Sequence, residues 1–526
     1  MSLRQEIALE RPPRAELGDY STNAALLLAP SLGEAPRNLA ARLGQQLEQR
    51  LGGNLERFEV AGPGFLNLFL HPRWFAGALR EVLAAGKGFG AGGARERERI
   101  LVEFVSANPT GPMHVGHARN AAYGDALARV LALHGHEVVR EFYVNDAGSQ
   151  VRKLGESIRA LARGEEVAED GYKGEYVKHL AVSLTDAATA QPAELGREAV
   201  QAMVANMQTS LGAFGVEDFD SWVYESTLHS GDPSPVEHAI ALLEAQEHTY
   251  RSEGALWLRT TTYGDDKDRV LVRSGGEHTY FASDIAYHQD KRERGFQRQI
   301  DVWGADHHGY VARMKAAYEA LGGDPGHLEM LIMQLVHLVR RGERAQMSKR
   351  AGEFVTLDDL VAEIGVDAAR WFLLSRSHDT TIDLDLDLAV EQSSENPVYY
   401  VQYAHARIAS MLAKAGNERV AAALAEQGGV LDGGALPEHS SERGLIKRLL
   451  AFPGEVQEAA RRRSPHRVAA YALELAQEFT AFYRDCHVLD VQPRELESLR
   501  IALCVATQRT IACSLDLLGV SAPAEM

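Results

Sequence analysis

The chain has 526 residues, 45% of them hydrophobic and 24% charged, with a formal net charge of −18 at pH 7. That length is too great for one core and predicts three or four domains, each burying its own. The composition is that of a soluble globular protein with no uninterrupted apolar run of membrane-spanning length, and the acidic balance excludes tight nonspecific nucleic-acid binding, leaving RNA contact to local basic patches.

The first residues lack the apolar core of a signal peptide, so a cytoplasmic location is expected. From residue 17 an apolar stretch predicts a helix capped near Ser21 or Thr22, and residues 38–51 predict a second, amphipathic helix stopped at Gly52. Residues 58–60 and 65–70 alternate as paired strands around Gly62, Pro63 and Gly64. Residues 1–90 thus read as a small α+β domain, and the Gly- and Ala-rich residues 86–93 as a linker out of it.

Residues 100–105 are a β-branched and aromatic run that reads as a buried strand. Asn108, Pro109, Gly111 and Pro112 break it, and an alanine-rich helical pattern follows to about Leu133, with Gly135 as its stop. A strand turning tightly into a helix N-terminus presents unpaired N–H groups and a positive dipole end, which suits phosphate. His114 and His117 lie on that first turn, placed to donate hydrogen bonds to charge on a phosphate, and Gly116 lets a base or ribose approach the backbone. The pair also fits two ordinary polar residues at a helix start, or two zinc ligands, although its spacing is unlike that of the helical zinc motif.

The run from Glu103 to His117, ending in His114-Val115-Gly116-His117, resembles the H-I-G-H signature of class I aminoacyl-tRNA synthetases, in the extended form found in bacterial arginyl-tRNA synthetases. The resemblance implies an α/β fold: a Rossmann-like parallel-sheet catalytic domain over residues 94–385, an N-terminal α+β appended domain over 1–90, and a C-terminal all-α anticodon-binding domain over 386–526. The segment from Gly18 to Asn23 is similar to the most recognisable part of the family's appended domain, which contacts tRNA near its elbow.

Residues 137–144 predict a second strand, with Asn145 and Asp146 at the carboxyl end where parallel sheets bind ligands; a plain Asx turn fits them as well. Residues 150–250, with amphipathic helices over 174–185 and 196–211, read as an insertion between the two halves of the sheet. Strand signals return at 255–259 and 270–273. Tyr280 and Asp284, four apart at a helix start, face the same way, either as a buried tyrosine with a polar neighbour or as acceptors for a planar cation. Residues 300–304 form a strand ending at Gly304, with Asp306, His307 and His308 just beyond it. Residues 331–339 form the next strand. The loop after it carries Gln346, Met347, Ser348, Lys349 and Arg350, and is either a solvated basic turn or an anion site with Lys349 as a mobile charge. From Asn396 the pattern is helical nearly to the end; Tyr399, Tyr400 and Tyr403 form a stripe that either packs in a core or stacks bases. Arg461, Arg462, Arg463 and Arg467 form a dense basic cluster, and Cys486, Cys504 and Cys513 lack zinc-site spacings and are expected as core residues.

The resemblance carries a reaction with it: ATP and L-arginine condense to arginyl-adenylate, and the arginyl group passes to the 3′ end of tRNA(Arg). It implies His114, His117 and Lys349 as the catalytic set. ATP is then held by His114, Gly116, His117, Gly304, Asp306, His308, Met347 and Lys349, with Lys349 in a loop similar to the K-M-S-K-S signature that departs from it at Gln346 and Arg350. Arginine is held by Glu103, Asn108, Tyr280 and Asp284, the two carboxylates on the guanidinium. The tRNA meets Tyr399, Tyr403, Arg407, Arg461 and Arg462. Mg²⁺ accompanies ATP, held chiefly by its phosphates; no structural zinc or other metal site is expected. The chain is expected to act as a monomer, away from membranes, and to need bound tRNA before it activates arginine.

Overall fold

The structure of the protein, a computed structural model, describes residues 7, 9–344, 355–427 and 434–526. At its centre is a five-stranded parallel sheet, in spatial order Leu328–Met333, Arg298–Gly304, Arg99–Glu103, Glu137–Val144 and Ser221–Tyr224. The chain works outward from Arg99–Glu103 on one side and later returns to pair with it on the other, so the strand order reverses at the seam between Arg99–Glu103 and Arg298–Gly304. Ligands of such sheets bind beyond the carboxyl ends of the strands at this seam. The register sets Asp301 opposite Glu103 and Glu103 opposite Glu141, a row of carboxylates across three adjacent strands.

Successive strand residues face opposite sides of a sheet. Phe104 meets the helix Val115–His134 on one side, where a Cβ on Gly124 would lie 2.2 Å from the Phe104 ring. Close helix–strand approach is therefore what that glycine supplies. On the other side the helix Tyr280–Glu293 lays Tyr287, His288 and Lys291 on the carboxylate row.

Several elements differ from expectation. The helices Ser149–Ala162, Glu175–Ser183 and Pro192–Ala213 bury a small core of their own, but Ser221–Tyr224, inside the span read as insertion, is the edge strand of the sheet. Four residues are too few to show a period beside long helices. The strand predicted over 331–339 is two. Leu328–Met333 stays in the parallel sheet, while Val336–Arg340 pairs with Ile382–Asp385 and Glu343–Arg344. At the break, the Gln334 and Leu335 carbonyls accept from Arg119, whose other nitrogen donates to the Ser377 and Thr380 carbonyls. Thr249–Ser252, Ala255–Leu258 and Arg269–Val272 form a separate antiparallel sheet.

Near the N-terminus, where a helix start was expected, Tyr20–Thr22 is a strand paired with Phe65–Leu70, and the helix begins only at Ala24. Asp19 explains the setting, since its carboxylate accepts from the Leu70 N–H at 2.8 Å and from Lys447 at 3.0 Å. The helix Pro72–Ala85 was unforeseen, and the expected linker begins with the 3-10 turn Gly86–Gly88 and seats Phe89 on Phe452. The C-terminal part is a packing of Pro397–Ala415, Ser440–Arg461, His466–Asp485 and Arg494–Leu518, joined by Asn417–Gln427. Arg494–Leu518 is long and apolar enough by length and composition to cross a membrane, yet 72% of its apolar window is buried inside the protein. Instead of a separate core for each expected domain, one continuous apolar cluster runs from the N-terminal unit through the sheet into the C-terminal helices.

Candidate active site

The helix Val115–His134 starts in a way that fixes both of its histidines. His114 is the N-cap; its Nδ1 accepts the Gly116 N–H at 3.1 Å, and the His117 Nδ1 accepts the His114 N–H at 3.3 Å, a reciprocal capping box built from imidazoles. The rings stack with centroids 3.8 Å apart. Burial holds the His114 imidazole below its ordinary value, and burial together with His114 brings His117 down to about 3. Both rings are thus neutral, and with each Nδ1 accepting a backbone N–H the proton of each belongs on Nε2. The result is a pair of Nε2–H donors beside a helix N-terminus, an arrangement suited to phosphate oxygens. Gly116 is exposed, and a Cβ there would lie 2.9 Å from the His114 ring, so the glycine also keeps the imidazole in place.

Past the carboxyl edge of the seam lies a cluster of carboxylates. Glu103 is 6% exposed, with one oxygen accepting from Lys291 at 2.6 Å and the other from Ser106 at 2.8 Å. Lys291, wholly buried, also donates to Asp301 at 2.8 Å. Burial pushes its ammonium down, but Asp301, Glu103 and Glu141 outweigh that and leave it raised. Glu103 is therefore already balanced by a cation.

Asp284 is not. Its Oδ2 accepts from the Tyr310 hydroxyl at 2.5 Å, and burial, with Glu103 nearby, raises its carboxyl to about 6. Glu225, which sequence reasoning missed, is buried at the start of the helix Glu225–Leu228 and is raised to about 7 by burial, Asp284 and Asp146. No Lys or Arg ion pair with either carboxylate occurs among the described residues. Asn145, with its amide nitrogen turned toward the acceptors, donates to Glu225 at 2.8 Å, and Asp146 accepts from the Ser226 N–H and hydroxyl. Glu225 had a findable signal: once Ser221–Tyr224 is a strand of the parallel sheet, the next residue stands at a ligand-binding edge.

Tyr280 is 63% exposed, with its hydroxyl beside Gly148 on the loop after Glu137–Val144, and Asn108 is exposed on the loop ahead of His114. The structure thus gathers Glu103, Tyr280 and Asp284 at the carboxyl edge with Glu225. Gly304 ends its strand, and Asp306 and His308 are exposed on the 3-10 turn Ala305–Tyr310. Met347 and Lys349 lie outside the described residues. The chain that follows them is pinned to the start of the signature helix: the Val115 N–H donates to the Val355 carbonyl at 3.3 Å and the Leu357 N–H to the Met113 carbonyl at 2.8 Å.

The expected RNA contacts fall in two places. Tyr399 and Tyr403 stack at 6.1 Å, and Arg407 donates to the Tyr403 hydroxyl while lying over the Tyr403 and Tyr483 rings. Tyr403, Arg407 and Tyr483 border a pocket of about 1040 Å³ that also includes Lys414, His487 and Met526. Arg461 and Arg462 instead turn back on Glu458. Tyr483 and Arg462 flank opposite ends of the helix His466–Asp485, a separation of about 25 Å at 1.5 Å per residue.

Three family models match the chain: the arginyl tRNA synthetase N terminal domain over residues 2–70, the tRNA synthetases class I (R) catalytic domain over 78–162 and 225–410, and the DALR anticodon binding domain over 401–526. Relatives include the arginine–tRNA ligase of Geobacillus thermodenitrificans, 44% identical over 99% of this chain and 94% of that protein. That of Syntrophotalea carbinolica is 46% identical over 99% and 95%. Among solved structures, the arginyl-tRNA synthetase of Thermus thermophilus superposes with a TM-score of 0.78 at 27% identity, covering 99% of this chain and 96% of that one.

Proposed function

The chain belongs to the arginyl-tRNA synthetase family and charges tRNA with arginine, by way of an adenylate made from ATP; from that premise we propose how its own residues divide the work. The observation that carries the proposal is the pair of buried, raised carboxylates, Asp284 and Glu225, at the carboxyl edge of the sheet. Two acids pushed upward with no counter-charge among the described residues suit a cation, and a guanidinium is a planar cation whose donors fit carboxylate oxygens. Asp284 and Glu225 hold the guanidinium, and Tyr280 lies against its edge. Glu103, neutralised by Lys291, adds a fixed acceptor, and Asn108 serves the α-amino end.

With arginine held there, its carboxylate attacks the α-phosphate of ATP, a displacement governed by position and by charge stabilisation. His114 and His117 donate from Nε2 to phosphate oxygens, and Gly116 lets the nucleotide lie on the helix N-terminus. Gly304, Asp306 and His308 border the ribose and adenine. In the second signature, Met347 lies along the nucleotide and Lys349 takes the charge of departing pyrophosphate. Mg²⁺ enters with the triphosphate, bound mainly by its oxygens, and no structural zinc is assigned.

Tyr399, Tyr403 and Arg407 form a stacking platform for bases of tRNA(Arg), and Arg461 and Arg462 exchange Glu458 for backbone phosphate. Residues 1–90, 94–385 and 386–526 serve as appended, catalytic and anticodon-binding domains. The chain works as a cytoplasmic monomer whose arginine activation waits on tRNA.

The test is ATP–pyrophosphate exchange with each of the twenty amino acids, with and without arginine-accepting tRNA. Exchange with arginine alone, and only with tRNA present, is the expected result. Exchange with another amino acid overturns the pocket assignment, and a folded protein with no exchange at all points to an RNA-binding paralogue.

A further inference from the structure

At the seam, the backbone takes a conformation that its own residues disfavour. Val105 has φ 69° and Ser106 has φ 38°, the left-handed region that a β-branched side chain rarely enters. Strain of this kind persists only where surrounding contacts over-determine it. The holding group here is Asn120, buried on the signature helix one turn beyond His117. Its Oδ1 accepts the Val105 N–H at 2.6 Å, and its Nδ2 donates to the Val302 carbonyl at 2.8 Å. One amide therefore clasps both strands of the seam, just past the register pair of Glu103 and Asp301. The outcome of the forced turn is the place of Ser106, whose hydroxyl accepts the Tyr143 N–H at 3.1 Å and donates to the Glu103 Oε1 at 2.8 Å.

We propose that Asn120 is a positioning residue for arginine recognition: by holding Val105 and Ser106 in the left-handed turn it keeps the Ser106 hydroxyl on Glu103, so one side chain sets the histidine-bearing helix and the arginine-side carboxylate relative to each other. The inference rests on the reading of Glu103 as part of the arginine pocket. A side-chain amide suits the task because it offers an acceptor to one strand and a donor to the other.

The test uses full-length protein in aminoacylation with saturating tRNA, measuring KM for arginine and for ATP separately. Asn120→Ala and Ser106→Ala are each expected to raise the arginine KM about tenfold, the effect of one hydrogen bond to a charged group, with the ATP KM within about twofold. Because both act through one link, the double variant is expected to match Asn120→Ala instead of reaching about a hundredfold. Asn120→Asp keeps the acceptor for Val105 and loses the donor to Val302, so it is expected to lower thermal stability while leaving the arginine KM within about twofold of wild type. Glu103→Gln is the control for the pocket. If it leaves the arginine KM unchanged, the pocket reading fails and takes this proposal with it. If it raises that KM while Asn120→Ala and Ser106→Ala do not, or if those two multiply, the pocket stands and the link is overturned. Should Asn120→Ala not fold, Ser106→Ala decides alone, and an unchanged arginine KM overturns the proposal.

Discussion

At Asp284 and Glu225 the proposed recognition of arginine rests on two raised carboxyls. Burial with Glu103 nearby raises Asp284 from an ordinary 3.8 to about 6, and burial with Asp284 and Asp146 nearby raises Glu225 from 4.5 to about 7. An acid raised on folding binds more protons in the folded state, so its cost is absent below its unfolded value and complete above its folded one. Without arginine, these two groups lower stability as pH climbs from about 4 to about 7. A guanidinium favours both ionised forms, so the arginine KM is expected to fall by roughly tenfold or more between pH 5.5 and 8. Steady-state kinetics across that range checks it, and Glu225→Gln should remove the part nearest pH 7. Asp284→Asn, which leaves a cation against a neutral amide, is expected to raise the arginine KM about a hundredfold while the ATP KM stays within about twofold. Equal loss of both would sink the assignment. His114 and His117 were legible in sequence as a pair on one helix start, because a helix start leaves its imprint within a few residues; their tautomer was not, since it depends on which backbone N–H each Nδ1 accepts.

At the scale of elements, the sheet and its two covering helices convert sequence order into a site. The strands Arg99–Glu103 and Glu137–Val144 and the helix between them were readable because each carries its own period and stop signals. Ser221–Tyr224 was not, being short and flanked by helices, and Glu225 was hidden with it. The strand expected over 331–339 broke because the carbonyls at Gln334 and Leu335 are claimed by Arg119 from another element, a tertiary contact that leaves no local mark. Gly124 sets the spacing between the signature helix and Phe104. Gly124→Ala, although a better helix former, is expected to destabilise the protein by about 2 kcal/mol through overpacking. Denaturant unfolding measures it, and a neutral or stabilising result would mean that helix and strand have room to part.

For the molecule as a whole, the shared core predicts cooperative behaviour. Arg370 is fully buried and donates to Asp125 on the signature helix, to the Phe214 carbonyl at the end of the helix Pro192–Ala213, and to the Leu518 carbonyl at the end of the last helix. Removing Arg370 leaves the Phe214 and Leu518 carbonyls without their donor and leaves Asp125 to Arg129 and Arg140. Arg370→Met is therefore expected to cost about 3–5 kcal/mol and to lower a single calorimetric transition, whereas separate transitions for the N-terminal, catalytic and C-terminal parts would contradict the continuous cluster. Sequence by itself determined the class of fold, the family, the histidine-bearing helix start and the presence of Glu103 and Asp284 at the carboxyl edge of the sheet, because periodicity, caps and a long motif are local properties of the chain. Only the tertiary structure decided which carboxylates lack a cation among the described residues, that Lys291 already neutralises Glu103, that Asn120 holds the strained turn at Val105, and that the expected RNA-facing groups stand at opposite ends of one helix. Those facts depend on which distant residues burial brings together, and charge balance in a buried site is a sum over neighbours that sequence spacing does not contain.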